Sequence, residues 1–199
     1  MKKEYRNKLR LRLASTAIGP STIRRLAPAG TIGPARSFLE RIDLHQLASC
    51  SEVEFATLLD SLTLAYTQEV SSLPWGAARK FLNIFLRDCL YYRFICDEYN
   101  LTRIEKYLEV PLDNDVIVEL KAQAGQRSLP KWRGVSKLTP DISKCFQQYA
   151  KIVAERNEVM RVDLDIEYWR GAKAQERKLK AAAKRPPTRT ISALSEAYD

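Results

Sequence analysis

Residues 77–99 (AARKFLNIFLRDCLYYRFICDEY) constrain the fold more than any other stretch of the chain. Their apolar residues fall on most sides of a helix, and a helix with so little polar surface is stable only when other elements cover it. This segment is therefore expected at the centre, with the rest of the chain wrapped around it. The flanking sequence supplies helices to do so. Ser51 caps an amphipathic stretch, 52–70, whose apolar set is Val53, Phe55, Leu58, Leu59, Leu62, Leu64 and Tyr66. Gly33-Pro34 opens a helix over 35–47, with Phe38, Leu39, Ile42 and Leu47 along one side, and Gly19-Pro20 likewise places Pro near a first turn, where its fixed φ does no harm. A shorter helix spans 101–108, Val110-Pro111 ends it, and 113–120 begins again behind an acidic cap. Thr139 caps 140–156, and 162–170 makes a last short helix, while 123–138, holding Pro130 and Gly134, reads as a surface loop. Residues 2–13 alternate basic and apolar positions, which permits a strand or a basic helix; we read them as helix. The expected fold class is all-α.

A chain of 199 residues buries one sizeable core. Its net charge of +9 is uneven: residues 1–25 hold eight Lys/Arg against one Glu and 171–189 hold seven against one, whereas 26–170 carries 18 basic and 20 acidic residues. The expected organisation is a basic N-terminal segment (1–25), a helical domain (26–170) and a basic, partly disordered tail (171–199). Positive ends on a neutral body suit a partner with a phosphate backbone, through counterion release, although solvated tails that only aid solubility carry the same composition. No apolar run approaches the roughly 18 residues of a membrane span and no leader-like segment opens the chain, so the expectation is a cytoplasmic monomer away from membranes. Cys50, Cys89, Cys96 and Cys145 are irregularly spaced without a CxxC pair, which argues for free thiols and against a metal or iron–sulfur site.

Three segments have the makings of a site. In 73–83 (LPWGAARKFLN), a Gly-containing turn between helices leaves the first N–H groups of the second helix unpaired at its positive end, an arrangement that binds phosphate. Trp75, Gly76, Ala77 and Arg79 are the expected backbone contacts. Lys80 follows on an almost wholly apolar helix, and an amine partly withdrawn from water near a helix N-terminus is a usable nucleophile; a lone lysine more commonly packs its stem and lets its amine reach water. In 109–118 (EVPLDNDVIV), Asp113 is placed to cap the next helix, and a capping carboxylate stays fixed and ionised. In 162–169 (VDLDIEYW), Asp165 and Trp169 are four apart, offering an acceptor beside a flat ring, apt for a nucleobase but equally for closing a core.

In this order and spacing, Lys80-Phe-Leu-Asn-Ile84, Val110-Pro-Leu-Asp-Asn-Asp-Val116 and Asp165-Ile-Glu-Tyr-Trp169 resemble the helix-hairpin-helix DNA glycosylases, and within them the archaeal 8-oxoguanine glycosylase family. The resemblance covers roughly residues 73–170. It implies a helix-hairpin-helix glycosylase-like domain acting on double-stranded DNA without metal or organic cofactor. Lys80 would attack the anomeric carbon and form a Schiff base, Asp113 would steady positive charge and handle protons, and Asp165, Trp169 and Ile84 would line the base pocket. A Schiff-base lysine also permits strand cleavage by β-elimination. The chain departs from the family in carrying Pro74 and a single Gly76 in its hairpin, and Ile84 where the family has an aromatic ring against the purine. Losing such a ring forfeits about 1–3 kcal/mol of stacking, which points away from 8-oxoguanine toward another modified base, for instance a hypermodified phage pyrimidine such as glycosylated hydroxymethylcytosine, in antiviral defence. The competing expectations are a non-catalytic helical DNA-binding protein that uses the hairpin and basic ends, and an RNA-binding accessory protein.

Overall fold

A computed structural model describes residues 2–24, 26–125 and 128–169; the basic C-terminal tail lies outside the described residues. Among the described residues the chain is all-helical, with no strand. The elements are α1 (Lys3–Ala17), α2 (Pro20–Ile23), α3 (Ile32–Glu40), α4 (Leu44–Ser49), α5 (Glu52–Glu69), α6 (Trp75–Tyr91), α7 (Arg93–Tyr99), a 3-10 helix (Leu101–Tyr107), α8 (Asn114–Ala124), a 3-10 turn (Val135–Lys137), α9 (Pro140–Arg156), a second 3-10 turn (Arg161–Asp163) and α10 (Leu164–Tyr168). No described helix is long and apolar enough to cross a membrane.

The apolar central segment does sit in the middle, but as two helices. α6 buries Phe81, Leu82, Phe85, Leu86 and Cys89, and the chain then leaves helical geometry at Tyr92 before α7 restarts. α1, α3, α4, α5, α7 and the 3-10 helix pack with α6 into the larger of two hydrophobic clusters. The helix read over 2–13 forms from Lys3, and Leu9, Leu13, Ala14 and Ala17 of α1 enter this cluster, so this part of the basic N-terminal segment is a packed element of the body. Arg6 bonds Glu98, Arg10 reaches the Ile42 carbonyl, and Arg36 closes the C-terminal end of α1 by donating to the Ser15 and Ile18 carbonyls.

Local signals account for most element ends. Ser51 and Glu54 form a reciprocal capping box on α5, and Thr139 caps α9. The stretch 35–47 is not one helix: Asp43 accepts hydrogen bonds from the backbone N–H of His45 and Gln46, which starts α4 anew after a break at residues 41–43.

A second, smaller cluster gathers Val110, Leu112, Val116, Ile117, Leu120, Leu138, Phe146, Ala150, Val153, Leu164 and Tyr168, contributed mainly by α8, α9 and α10. Leu108 belongs to the larger cluster and Val110 to the smaller, so the chain crosses between them at Glu109. That crossing builds the site.

Candidate functional site

From Trp75 onward, the residues of α6 that keep partial exposure are Trp75, Lys80, Ile84, Arg87, Asp88 and Tyr91, and the last five form one stripe at helical spacing. Lys80 heads the stripe. Its Nζ lies 3.3 Å from Oδ2 of Asp113, with 14% and 31% of the two side chains exposed. The other oxygen of Asp113 is the N-cap of α8, accepting from the backbone N–H of Asp115 at 2.9 Å and of Val116 at 3.1 Å. One carboxylate thus divides its work: Oδ1 is locked to a helix N-terminus and Oδ2 is presented to the amine.

Three neighbouring segments complete a cavity of about 450 Å³ around this pair: the start of α8 (Asp113, Asn114, Asp115), residues Gly134, Val135 and Ser136, and Leu26. The volume falls in the roughly 300–1,000 Å³ range of small-ligand sites. Apart from Leu26 and Val135, the side chains that line it are charged or polar, and none is aromatic.

The register that brings Lys80 to Asp113 is set one step away from each. Arg79 turns inward, 6% exposed, and grips Glu109 with two bonds, Nε to Oε2 at 2.8 Å and Nη2 to Oε1 at 2.9 Å. Its remaining nitrogen, Nη1, donates to Thr63 Oγ1 at 2.9 Å and pairs with Asp60 at 2.8 Å, while Asn83 Nδ2 adds a bond to Glu109 at 3.0 Å. Burial alone would push the Glu109 carboxyl up, but Arg79, Arg161 and Asn83 outweigh it and hold the group below its ordinary value. The strap 107–110 is pinned further: Arg161 donates to the Tyr107 and Leu108 carbonyls, and buried Gln147 accepts from Val110 N at 3.2 Å and donates to its carbonyl at 2.7 Å. None of Glu109, Asn83, Gln147 and Arg161 figured among the candidates above. The available signal was Glu109 itself, a carboxylate between Leu108 and Val110, which needs a cation once buried.

The segment 75–79 does not form the expected phosphate-binding turn. α6 starts at Trp75, so Gly76 and Ala77 lie inside its first turn and are buried, and Arg79 is committed to Glu109. Gly76 serves a close approach instead: a Cβ there would stand 2.2 Å from the Val135 carbonyl oxygen and 2.6 Å from Leu138 Cβ. Trp75 packs against the smaller cluster with the Arg79 guanidinium 5.6 Å over its ring.

Two turns beyond Lys80, about 10 Å along the helix axis, Arg87 joins Asp88 and Asp165. Asp165 therefore reaches the same stripe as Lys80, already ion-paired. Burial pushes the Asp88 carboxyl up against the opposing pull of Arg87. Ile84, between the two polar groups, is half-buried against the larger cluster. Trp169 lies one residue past α10 and is 64% exposed, so it closes no core.

The arrangement joins an amine, a fixed carboxylate, an open polar cavity and a buried ion-pair link between the two helices that carry them. Comparison with protein-family profiles, with curated proteins and with solved structures finds no match to this chain in any of the three.

Proposed function

We propose that the protein is a DNA glycosylase of the helix-hairpin-helix kind, which removes a modified base from duplex DNA with Lys80 as nucleophile and Asp113 as its proton partner. The observation that carries the reading is the pair itself: an amine and a carboxylate 3.3 Å apart, supplied by different helices at a cavity large enough for an everted nucleotide.

Asp113 takes a proton from the Lys80 ammonium and frees the Nζ lone pair. Nζ bonds C1′ while the C1′–N bond breaks and the base leaves with that electron pair and a proton. Loss of a proton from Nζ and protonation of O4′ open the sugar ring to the iminium, with Asp113 the group that exchanges these protons and faces the positive charge on the sugar. Water then regenerates the amine, or loss of a 2′ proton expels the 3′ phosphate and cuts the strand. Because Oδ1 is tied to α8, the carboxylate keeps its place through these exchanges.

The lining of the cavity supports a substrate other than plain 8-oxoguanine. It offers carboxylates, an amide and a hydroxyl rather than an aromatic plate, which favours a base bearing a polar substituent such as the sugar of a glycosylated hydroxymethylcytosine.

Sodium borohydride trapping on normal, oxidised and phage-derived hypermodified duplexes tests the reading. A covalent protein–DNA adduct that disappears in Lys80→Gln supports it. Failure to trap an adduct or release a base from any of these substrates, with DNA still bound, leaves a non-catalytic DNA-binding protein in its place.

A further inference from the structure

Two sets of candidates for gripping the DNA backbone are already spoken for: the first turn of α6 is packed against the 3-10 turn, and Arg79 is held by Glu109. Residues 131–137 (KWRGVSK) carry Lys131, Arg133 and Lys137 and no acidic residue. All three side chains are exposed. Some exposed cations pair with acids, as in Lys8–Glu4, Arg41–Glu69, Arg93–Asp97 and Lys151–Glu52, but these three, like Lys3 and Arg12 on α1, form no ion pair with a described residue; what sets them apart is that they sit on the segment that lines the cavity.

The segment is also held rigidly. Trp132 donates from Nε1 to Asn114 Oδ1 at 2.7 Å and sets its ring edge-on to Phe146, 6.0 Å between centroids. Leu138 is buried, the Val135 carbonyl lies against Gly76, and the turn is closed by Lys137 N to Gly134 O at 3.1 Å and Leu138 N to Val135 O at 3.2 Å. Between the three cations, Gly134–Ser136 form one wall of the cavity over Lys80. Leu26, another residue of the lining, stands two positions after exposed Arg24 in the sequence.

We infer that Lys131, Arg133 and Lys137, joined by Arg24, form a phosphate-binding rim that holds the duplex DNA backbone beside the nucleotide entering the Lys80 cavity. The inference rests on the glycosylase reading for what enters the cavity, but the rim is a binding surface in its own right. Cations presented from an anchored turn lose little freedom on contact, and their position at the mouth fixes where the strand must pass.

The test is equilibrium binding of a fluorescent duplex containing a reduced abasic analogue, measured by anisotropy over a potassium chloride series with the full chain. Each side chain that meets a phosphate contributes roughly 1 to the slope of log K against log salt. Lys131→Ala/Arg133→Ala/Lys137→Ala should lower that slope by roughly 2–3, Arg24→Ala by roughly 1, and the equally neutralising Lys3→Ala/Lys8→Ala/Arg12→Ala on α1 by less than the loop triple. Circular dichroism verifies that each variant is folded. An unchanged slope in the loop triple, or an equal fall in the α1 triple, overturns the rim. Equal affinity for duplex RNA, lost in the same variants, overturns DNA as its occupant. Borohydride trapping with the same proteins separates the two claims: an adduct formed by the loop triple with wild-type salt dependence sinks the rim and spares the enzyme, while loop-dependent binding with no adduct from wild type sinks the enzyme and spares the rim.

Discussion

Removing the Glu109 carboxylate tests the link between fold and site most directly. Glu109→Leu deletes two bonds from Arg79 and one from Asn83 and leaves a guanidinium with only 7% of its side chain exposed, facing Thr63 and the largely solvated Asp60. Stranding one member of a buried pair costs about 3–5 kcal/mol, a large share of the 5–15 kcal/mol that typically holds a domain together. For a protein of this size that corresponds to a fall in Tm of roughly 6–20 °C. Replacing both partners, Arg79→Met with Glu109→Leu, removes the stranded charge, so the double variant should be more stable than Glu109→Leu alone, with a coupling of about 2–3 kcal/mol in a double-mutant cycle. Urea unfolding followed by far-UV circular dichroism measures all four corners. The double variant should nonetheless trap abasic DNA poorly, since the apolar pair no longer fixes the register of Lys80 against Asp113. Additive losses across the cycle would refute the buried-pair argument, and full trapping by the double variant would refute the positioning role. Acid gives a second readout. Glu109 is held below its ordinary value in the fold, so its contribution is complete at neutral pH and is lost as pH falls below the usual glutamate range. The stability gap between wild type and Glu109→Gln should therefore be flat near neutrality and close in acid.

Three further outcomes follow from local geometry. Asp113→Asn retains a good N-cap and should unfold within about 0.5 kcal/mol of wild type, whereas Asp113→Ala should cost about 0.5–2 kcal/mol; both should slow trapping by about 10²–10⁴-fold, which single-turnover assays resolve from the stability effect. Gly76→Ala drives a methyl into the Val135 carbonyl and should cost about 1–3 kcal/mol while displacing the basic turn, a change that chemical denaturation and the salt slope of DNA binding read separately. Gln147→Leu strands both backbone groups of Val110 and should destabilise by about 2–6 kcal/mol, seen as a lowered urea midpoint with an unchanged m-value.

The features legible in the sequence were those written within one helical turn. Ser51, Thr139 and Asp113 announce helix starts because a cap is a contact between residues two or three apart, and the folded chain uses all three as caps. The central position of 77–99 was equally plain from its lack of a polar side, although the folded chain divides it into α6 and α7. The break at Tyr92 and the restart at Asp43 were less so, because an apolar pattern runs through each without a Gly or Pro to interrupt it. At the site, Lys80 and Asp113 each stood out by type and spacing. What could not be read was the function of their neighbours: Arg79 and Gly76 look like exposed hairpin residues until Glu109, thirty residues on, and Val135, nearly sixty on, are brought against them. Contacts at that separation leave no periodicity behind. For the same reason 131–137 looked like an ordinary polar loop, since its anchor, Trp132 on Asn114, is invisible without the fold.

The amine and the carboxylate are carried by different packing units, α6 mainly by the larger and α8 by the smaller, and the chain passes between them at Glu109 and again around Val162. Their separation consequently reports the alignment of the whole seam. Shrinking Phe85 on one side or Phe146 on the other, neither of which lines the cavity, would move the pair by letting the halves slip, and changes that restore a displaced pair would arise across the seam as well as beside the cavity. A site built this way ties its geometry to the tightness of the interior, so changes that move the Lys80–Asp113 pair and changes that alter the filling of the core fall on many of the same residues.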